Sequence, residues 1–244
     1  AKDPRSMKLR MIAGGGGGGL TIQQPENNIV RGAYYALSSA LSGTQTMALC
    51  SYDEAYTIPS ERAAVLSLRT MQILMLEVGL CDTVDPLAGS YFVETMTNRM
   101  ERLIVETMDR LDAEGGIVQG VTDGRVQAEV NRQAFERELR QQRGETKKVG
   151  VNCFAEDEPE EPSVEFHPYR QAEAGRQIER LRRIRTERDS DAVARALARV
   201  RENASGGRNV MPAVMDAVEA YGTVGEVCGA LKSVFGTYQE PVRF

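Results

Sequence analysis

Met7-Lys8-Leu9-Arg10-Met11-Ile12-Ala13 runs straight into Gly14-Gly15-Gly16-Gly17-Gly18-Gly19, and a helix-like segment opens at Glu26. Residues 7 to 13 read as a buried strand, so the pattern predicts a strand that ends in six consecutive glycines. Without Cβ atoms, successive backbone N–H groups can turn toward one point and approach a phosphate, a carboxylate or the flat face of a cofactor. The run lacks the Lys-Ser/Thr of a P-loop, and no acidic residue stands at the end of a second strand about 20 positions on, as the dinucleotide fingerprint requires. The same composition also suits a flexible linker. Both readings stand at this point.

Outward from the run, a helix is expected over residues 26 to 41, a second strand over 44 to 50 and a long helix over 60 to 78. Ser60 suits the N-cap of that helix and Gly79 its stop. The helix is apolar on most faces, with Ala64, Val65, Leu68, Met71, Ile73, Leu74, Met75 and Leu76, as expected of one packed on a parallel sheet and covered by neighbours. This βαβα alternation fits an open doubly wound sheet or a β/α barrel. Next come a helix over residues 95 to 113, with Met96, Met100, Leu103, Ile104, Met108 and Leu111 inward, a second over 126 to 142 and a strand over 147 to 151. Residues 155 to 165 are rich in Glu, Asp and Pro and carry too little apolar surface to fold alone. Beyond them, helices are expected over 169 to 188, 191 to 202, 210 to 220 and 224 to 234, with Asp189 or Ser190 capping the second and Thr223 the fourth.

A chain of 244 residues can bury one large core or two smaller ones, and its net charge of −5 argues against a nucleic-acid surface. The basic stretch from Arg176 to Arg188 reads as the solvated face of a helix, because Ile178, Leu181 and Ile184 recur within it at helical spacing. Cys50, Cys81, Cys153 and Cys228 form no C-x-x-C pair, so reduced thiols, a cytoplasmic location and no metal site are expected. No apolar stretch of about 18 residues and no cleavable leader is present, so a soluble, unexported chain with no membrane partner is expected. The start at Ala1-Lys2-Asp3-Pro4, without methionine and almost on a strand, reads as entry into the middle of a domain.

The text around the glycines carries a resemblance. Leu20-Thr21-Ile22-Gln23-Gln24-Pro25-Glu26-Asn27-Asn28-Ile29-Val30-Arg31 is followed by Gly43-Thr44-Gln45-Thr46, Ser51-Tyr52-Asp53-Glu54-Ala55 and Asp85-Pro86-Leu87-Ala88-Gly89-Ser90-Tyr91. Glu114-Gly115-Gly116, Gly150-Val151-Asn152 and Thr223-Val224-Gly225-Glu226 continue the series, so it covers nearly the whole chain. This order resembles the large subunit of coenzyme-B12-dependent acyl-CoA mutases, the methylmalonyl-CoA mutase family.

The resemblance implies the carboxyl-terminal part of a TIM (β/α)8 barrel followed by a mostly helical segment, with the earlier strands preceding residue 1. On that basis residues 1–154 are the barrel portion with its following helices, 155–168 an acidic, Pro-containing linker and 169–244 a helical segment. The implied activity is a radical carbon-skeleton rearrangement of a short-chain acyl-CoA that uses adenosylcobalamin. Implied partners are the acyl-CoA, a cobalamin-binding subunit or domain, and the remainder of the barrel. The alternative is a non-catalytic, mutase-like module that binds CoA esters or a partner subunit.

Matched residue by residue, Glu54 resembles the carboxylate that binds the adenosyl ribose, Ala55 its cofactor-contacting neighbour and Gly17 the family's cofactor-facing glycine. Gln45 resembles a substrate-contacting amide, and Arg5 and Arg10 match basic positions near the CoA arm, where guanidinium groups suit phosphates. Where the family reads R-x-H-x-Q-T-x-G, this chain has Ile12 in the His position and Gly14 in the Gln position, which implies a larger space around the acyl group and an acyl-CoA other than methylmalonyl-CoA. The cobalt-binding signature D-x-H-x-x-G is absent, and the lone His167 lies in a Pro-flanked linker. Catalytic residues are therefore expected outside these residues. Asp53, Asp82 and Asp85 carry no acid/base motif, and Asp85-Pro86 reads as turn chemistry.

Overall fold

A strand at Ile12–Gly14 (β1) ends on the first glycine of the run, and Gly17–Gly19 closes a single 3-10 turn beyond it. A computed structural model describes residues 2–7, 10–156 and 164–241. The helix Asn27–Leu41 (α1) leads to the strand Thr46–Ala48 (β2), which pairs with β1 in parallel with Ile12 opposite Thr46 and Gly14 opposite Ala48. The helix Glu61–Leu76 (α2) follows, with the Ser60 hydroxyl accepting the N–H of Ala63 as its N-cap, and it packs on α1. This is an α/β arrangement whose parallel strands are joined by a helix; two strands do not close a barrel.

Both strands are shorter than the pattern predicts. Residues 7 to 13 are not a buried strand: Met11 and Ile12 are 44% and 64% exposed, and Lys8 and Leu9 lie outside the described residues. Each strand has only the other beside it among the described residues, so pairing stops where their overlap ends. The apolar faces of α2 also lack the expected cover. Only Ala63 is buried, while Val65, Leu68, Ile73, Met75 and Leu76 remain exposed.

Tyr91–Ala113 (α3), capped by Ser90, begins four residues before the expected start, because Ser90 supplies a side-chain acceptor for the N–H of Val93 and Tyr91-Phe92-Val93 joins the helix. It buries none of its residues, and Met96, Met100, Leu103, Ile104 and Met108 face outward rather than inward. A short helix that periodicity misses, Gly116–Thr122 (α4), leads into Arg125–Gln142 (α5). The strand expected over residues 147 to 151 is instead a turn with a single bridge, Val149 to Cys153, because Gly150 takes a positive φ of 80° and the Asn152 side chain accepts the N–H of Lys148.

Contacts separate Tyr169–Pro241 from the described residues before it. This second unit holds Gln171–Glu187 (α6), Ser190–Ser205 (α7), Met211–Glu219 (α8) and Val224–Phe235 (α9). Val200, Ala213 and Ala230 form one buried cluster, and Ala196, Ala217 and Val227 another. Asp189 caps α7, and Thr223 with Glu226 makes a reciprocal capping box at α9. Much of the linker expected over 155–168 falls in residues 157–163, outside the described residues. Among the described residues, no helix is long and apolar enough to cross a membrane.

Candidate functional site

Parallel pairing brings the carboxyl ends of β1 and β2 to one edge, so the glycine run after Gly14 and the loop after Ala48 leave the sheet side by side. In sheets of this kind, ligands bind beyond the carboxyl ends of the strands. A Cβ at Gly15 would sit 2.3 Å from the Cys50 backbone nitrogen, so the two loops touch through bare backbone that admits only glycine. A Cβ at Gly17 would lie 3.6 Å from the Cys50 Sγ.

Cys50 is the meeting point. Its thiol lies beside the Glu54 carboxylate, and the N–H groups of Gly15 and Gly17 face its sulfur. Burial pushes the thiol pKa up, the Glu54 charge adds to that, and the two N–H groups offset part of it. Cys50 is therefore held as the neutral thiol. Glu54 itself is exposed, with Oε1 accepting the Ser51 N–H at 2.6 Å.

Behind this edge, buried polar groups tie the loops together. The Asn28 side chain on α1 accepts the N–H of Thr21 and donates to the carbonyls of Thr21 and Tyr52, joining the loop after β1 to the loop after β2. Arg31 donates to Thr21 Oγ1, Asn28 Oδ1 and the Val149 carbonyl. Lys148 donates to the Gly19 carbonyl, and burial with Arg31 nearby pulls its pKa down. The turn at 148–154 thus clasps the glycine run, aided by the Gln24 amide donating to the Phe154 carbonyl. Asp53 is fully buried: Oδ2 accepts the Ser60 N–H, while Oδ1 has no partner among the described residues. Sequence reasoning passed over Asn28 as a link between the loops. Its signal was a polar residue in register with Gly32 and Ala36 on the buried stripe of α1.

The six singled-out residues fall in separate places. Gly17, Glu54 and half-buried Ala55 lie in the loops at the carboxyl edge, with Gly17 and Glu54 meeting at Cys50. Arg10 and Gln45 precede β1 and β2, at the opposite end of the strands, and both are exposed. Arg5 is exposed and paired with Asp3 at 3.2 Å. Between the two ends, Ile12, Gly14, Thr46 and Ala48 share the more exposed face of the sheet, while Ala13 and Met47 turn to its other face. Among the described residues, no group of three or more His, Cys, Asp or Glu side chains is placed to hold a metal ion.

The sequence model of the family described as methylmalonyl-CoA mutase matches residues 1–237. The 2-hydroxyisobutanoyl-CoA mutase large subunit of Aquincola tertiaricarbonis is 39% identical over 247 residues, covering 100% of this chain and 43% of that protein. Methylmalonyl-CoA mutase of Cereibacter sphaeroides is 36% identical, over 99% of this chain and 34% of that protein. The mitochondrial methylmalonyl-CoA mutase of Homo sapiens is 34% identical, over 98% of this chain and 32% of that protein. The chain therefore spans less than half the length of these relatives.

Proposed function

This chain belongs to the methylmalonyl-CoA mutase family, and on that premise we propose that it is part of an adenosylcobalamin-dependent acyl-CoA mutase. The observation that carries the reading is the edge where the glycine run, Cys50 and Glu54 converge beyond two parallel strands. These residues fit the cofactor: bare glycine backbone admits a bulky ligand at close range, and an exposed carboxylate suits the vicinal hydroxyls of a ribose. When bound, adenosylcobalamin supplies a carbon-centred radical by homolysis of its cobalt–carbon bond.

The chain's own residues hold and shield. Gly17 and Ala55 line the cofactor side, and Glu54, fixed at one oxygen by the Ser51 N–H, accepts the ribose hydroxyls. Arg5, Arg10 and Gln45 serve the CoA side. Arg10 and Gln45 lie at the opposite end of the strands from Gly17 and Glu54, so the CoA ester must extend along the strands to bring its acyl group to the cofactor. The barrel's remaining strands and a cobalamin-holding domain or subunit complete the site, because the sequence carries no D-x-H-x-x-G. The face of Ile12, Gly14, Thr46 and Ala48 offers one hydroxyl and no charge to the acyl group. It favours an acyl chain without a free carboxylate, which accords with likeness to a 2-hydroxyisobutanoyl-CoA mutase large subunit.

Glu54→Gln in the complete enzyme tests the assignment. The amide keeps the size of the carboxylate but weakens a charge-assisted hydrogen bond, a loss on the order of 1.5–3 kcal/mol. Adenosylcobalamin affinity should fall by roughly 10- to 150-fold, while acyl-CoA affinity stays near its original value. Equal losses for both ligands remove Glu54 from the cofactor side. The 244-residue chain alone should isomerise no acyl-CoA even with adenosylcobalamin added; turnover by it overturns the need for the remaining barrel.

A further inference from the structure

Each glycine in the run meets different surroundings. A Cβ at Gly19 would lie 2.0 Å from the Tyr35 hydroxyl oxygen and 3.0 Å from its Cζ, and one at Gly16 would lie 3.0 Å from two carbons of the same ring. At Gly14 and Gly18 nothing comes within 4 Å. Tyr35 stands half-buried on α1, and its hydroxyl rests against Gly19 with no hydrogen-bond partner among the described residues. On the turn's carbonyl side, Lys148 donates to the Gly19 oxygen.

We infer that Tyr35 is a positioning residue for the acyl-CoA rearrangement: its ring and hydroxyl fix the path of Gly16–Gly19 over the carboxyl ends of β1 and β2. The inference rests on the mutase reading above, since it is there that the loop's path governs chemistry. The fit is mutual. The ring finds room only because positions 16 and 19 carry no side chain, and with the ring in place the run cannot sink toward α1. Gly16 also takes φ of 73°, so a side chain there meets backbone strain as well as the ring. The volume released by glycine at positions 16 and 19 therefore goes to Tyr35, and only positions 14 and 18 leave open space. The larger acyl space expected from the sequence belongs to positions 12 and 14, and Gly14 is one of the two glycines that stay open.

The test uses the complete enzyme with its cobalamin-holding partner, assayed with 2-hydroxyisobutanoyl-CoA and methylmalonyl-CoA. Displacing catalytic surroundings by about 1 Å costs on the order of 100-fold in rate. Gly19→Ala should lower kcat/KM by about that factor, and at least about 10-fold further than Gly18→Ala, chiefly through kcat. Tyr35→Phe removes the atom that a Cβ at position 19 would strike, so the Gly19→Ala/Tyr35→Phe double variant should recover about 10-fold over Gly19→Ala. Thermal unfolding of all four proteins accompanies the assay, and recovery of kcat at unchanged melting temperature marks positioning rather than folding. Equal losses for Gly18→Ala and Gly19→Ala, or no recovery in the double variant, overturn the inference. A wild-type enzyme that turns over neither ester overturns the mutase reading itself, a result that the variants cannot mimic.

Discussion

In the helices of residues 190–235, Ala196 and Val200 of α7 meet Ala213, Ala217, Val227 and Ala230 of α8 and α9 as buried surface, and Val193 and Ala204 of α7 are buried too, whereas α3, 23 residues long, buries none of its residues. Both regions are amphipathic, and both carry apolar residues at helical spacing. The difference is whether the partner surface lies within the chain. In the second unit three helices cover one another. In the first, Ala36 and Ala63 are buried between α1 and α2, but much of the interior is polar, with Thr21, Asn28, Ser51, Asp53 and Ser60, and the apolar faces of α2 and α3 stay open. An amphipathic pattern therefore predicts a face that needs cover, and says nothing of who supplies it.

The comparison breaks or holds most visibly when the regions are separated. Residues 169–241 produced alone should unfold in one cooperative thermal transition, while residues 1–168 alone should bind an apolar dye and lose structure gradually. A cooperative, dye-free residues 1–168 would show that the open faces of α2 and α3 need no partner.

Next in size is the charged contact that joins α6 and α9. Arg188, with a side chain only 9% exposed, donates both NH groups to Glu226, at 2.8 and 2.5 Å, and Glu226 also completes the α9 capping box. Arg188→Ala should cost roughly 1.5–3 kcal/mol, read as a lower denaturant midpoint of residues 169–241. The same contact sets a pH dependence. Arg188 holds the Glu226 carboxyl well below its ordinary value of 4.5, with the Thr223 N–H and hydroxyl adding to the effect against the opposing pull of burial. A carboxyl whose pKa is lower folded than unfolded stabilises fully above its unfolded value and loses that contribution as the pH falls toward the folded one. Stability should therefore decline below about pH 4.5 by an amount that Glu226→Gln abolishes. An unchanged acid slope in that variant assigns the effect to other carboxylates.

The smallest effects sharpen the contrast residue by residue. Val200→Ala, at a fully buried position, should destabilise residues 169–241 by roughly 2 kcal/mol, through lost methyl burial and the cavity left behind. Leu103→Ala on α3, at a position 47% exposed, should change stability of the 244-residue chain by about 0.5 kcal/mol or less. Similar denaturation shifts for the two variants would mean that α3 is covered within the chain.

Helices were legible where their ends are local. Ser60, Thr223 and either Asp189 or Ser190 are the caps that local pattern expects, and Ser60, Thr223 and Asp189 each accept a backbone N–H at the start of a helix. Strand lengths were not, because a strand extends only as far as its neighbour does, and that neighbour lies more than thirty residues away in the chain, as Ile12 opposite Thr46 shows. Gly116–Thr122 escaped because two of its seven residues are glycine, which lowers helix propensity below what periodicity can register. Of the candidate site, the chemistry-bearing types in the two loops were readable, and Cys50 as their junction was not. Nothing in Leu49-Cys50-Ser51 marks a thiol that will meet glycine N–H groups from the other loop.

The sequence by itself determined the family, the alternation of helix and strand, the glycine run after the first strand and the capping residues, since each is carried by neighbours in the chain or by an order of motifs along it. Only the tertiary structure decided which glycines are required, what occupies the room they leave and which apolar faces find cover. Those outcomes depend on groups far apart in sequence, such as Lys148 and Gly19, separated by 129 residues. Tyr35 meets Gly19 because α1 turns back beneath the loop, a path set by packing and hydrogen bonds that no local pattern records.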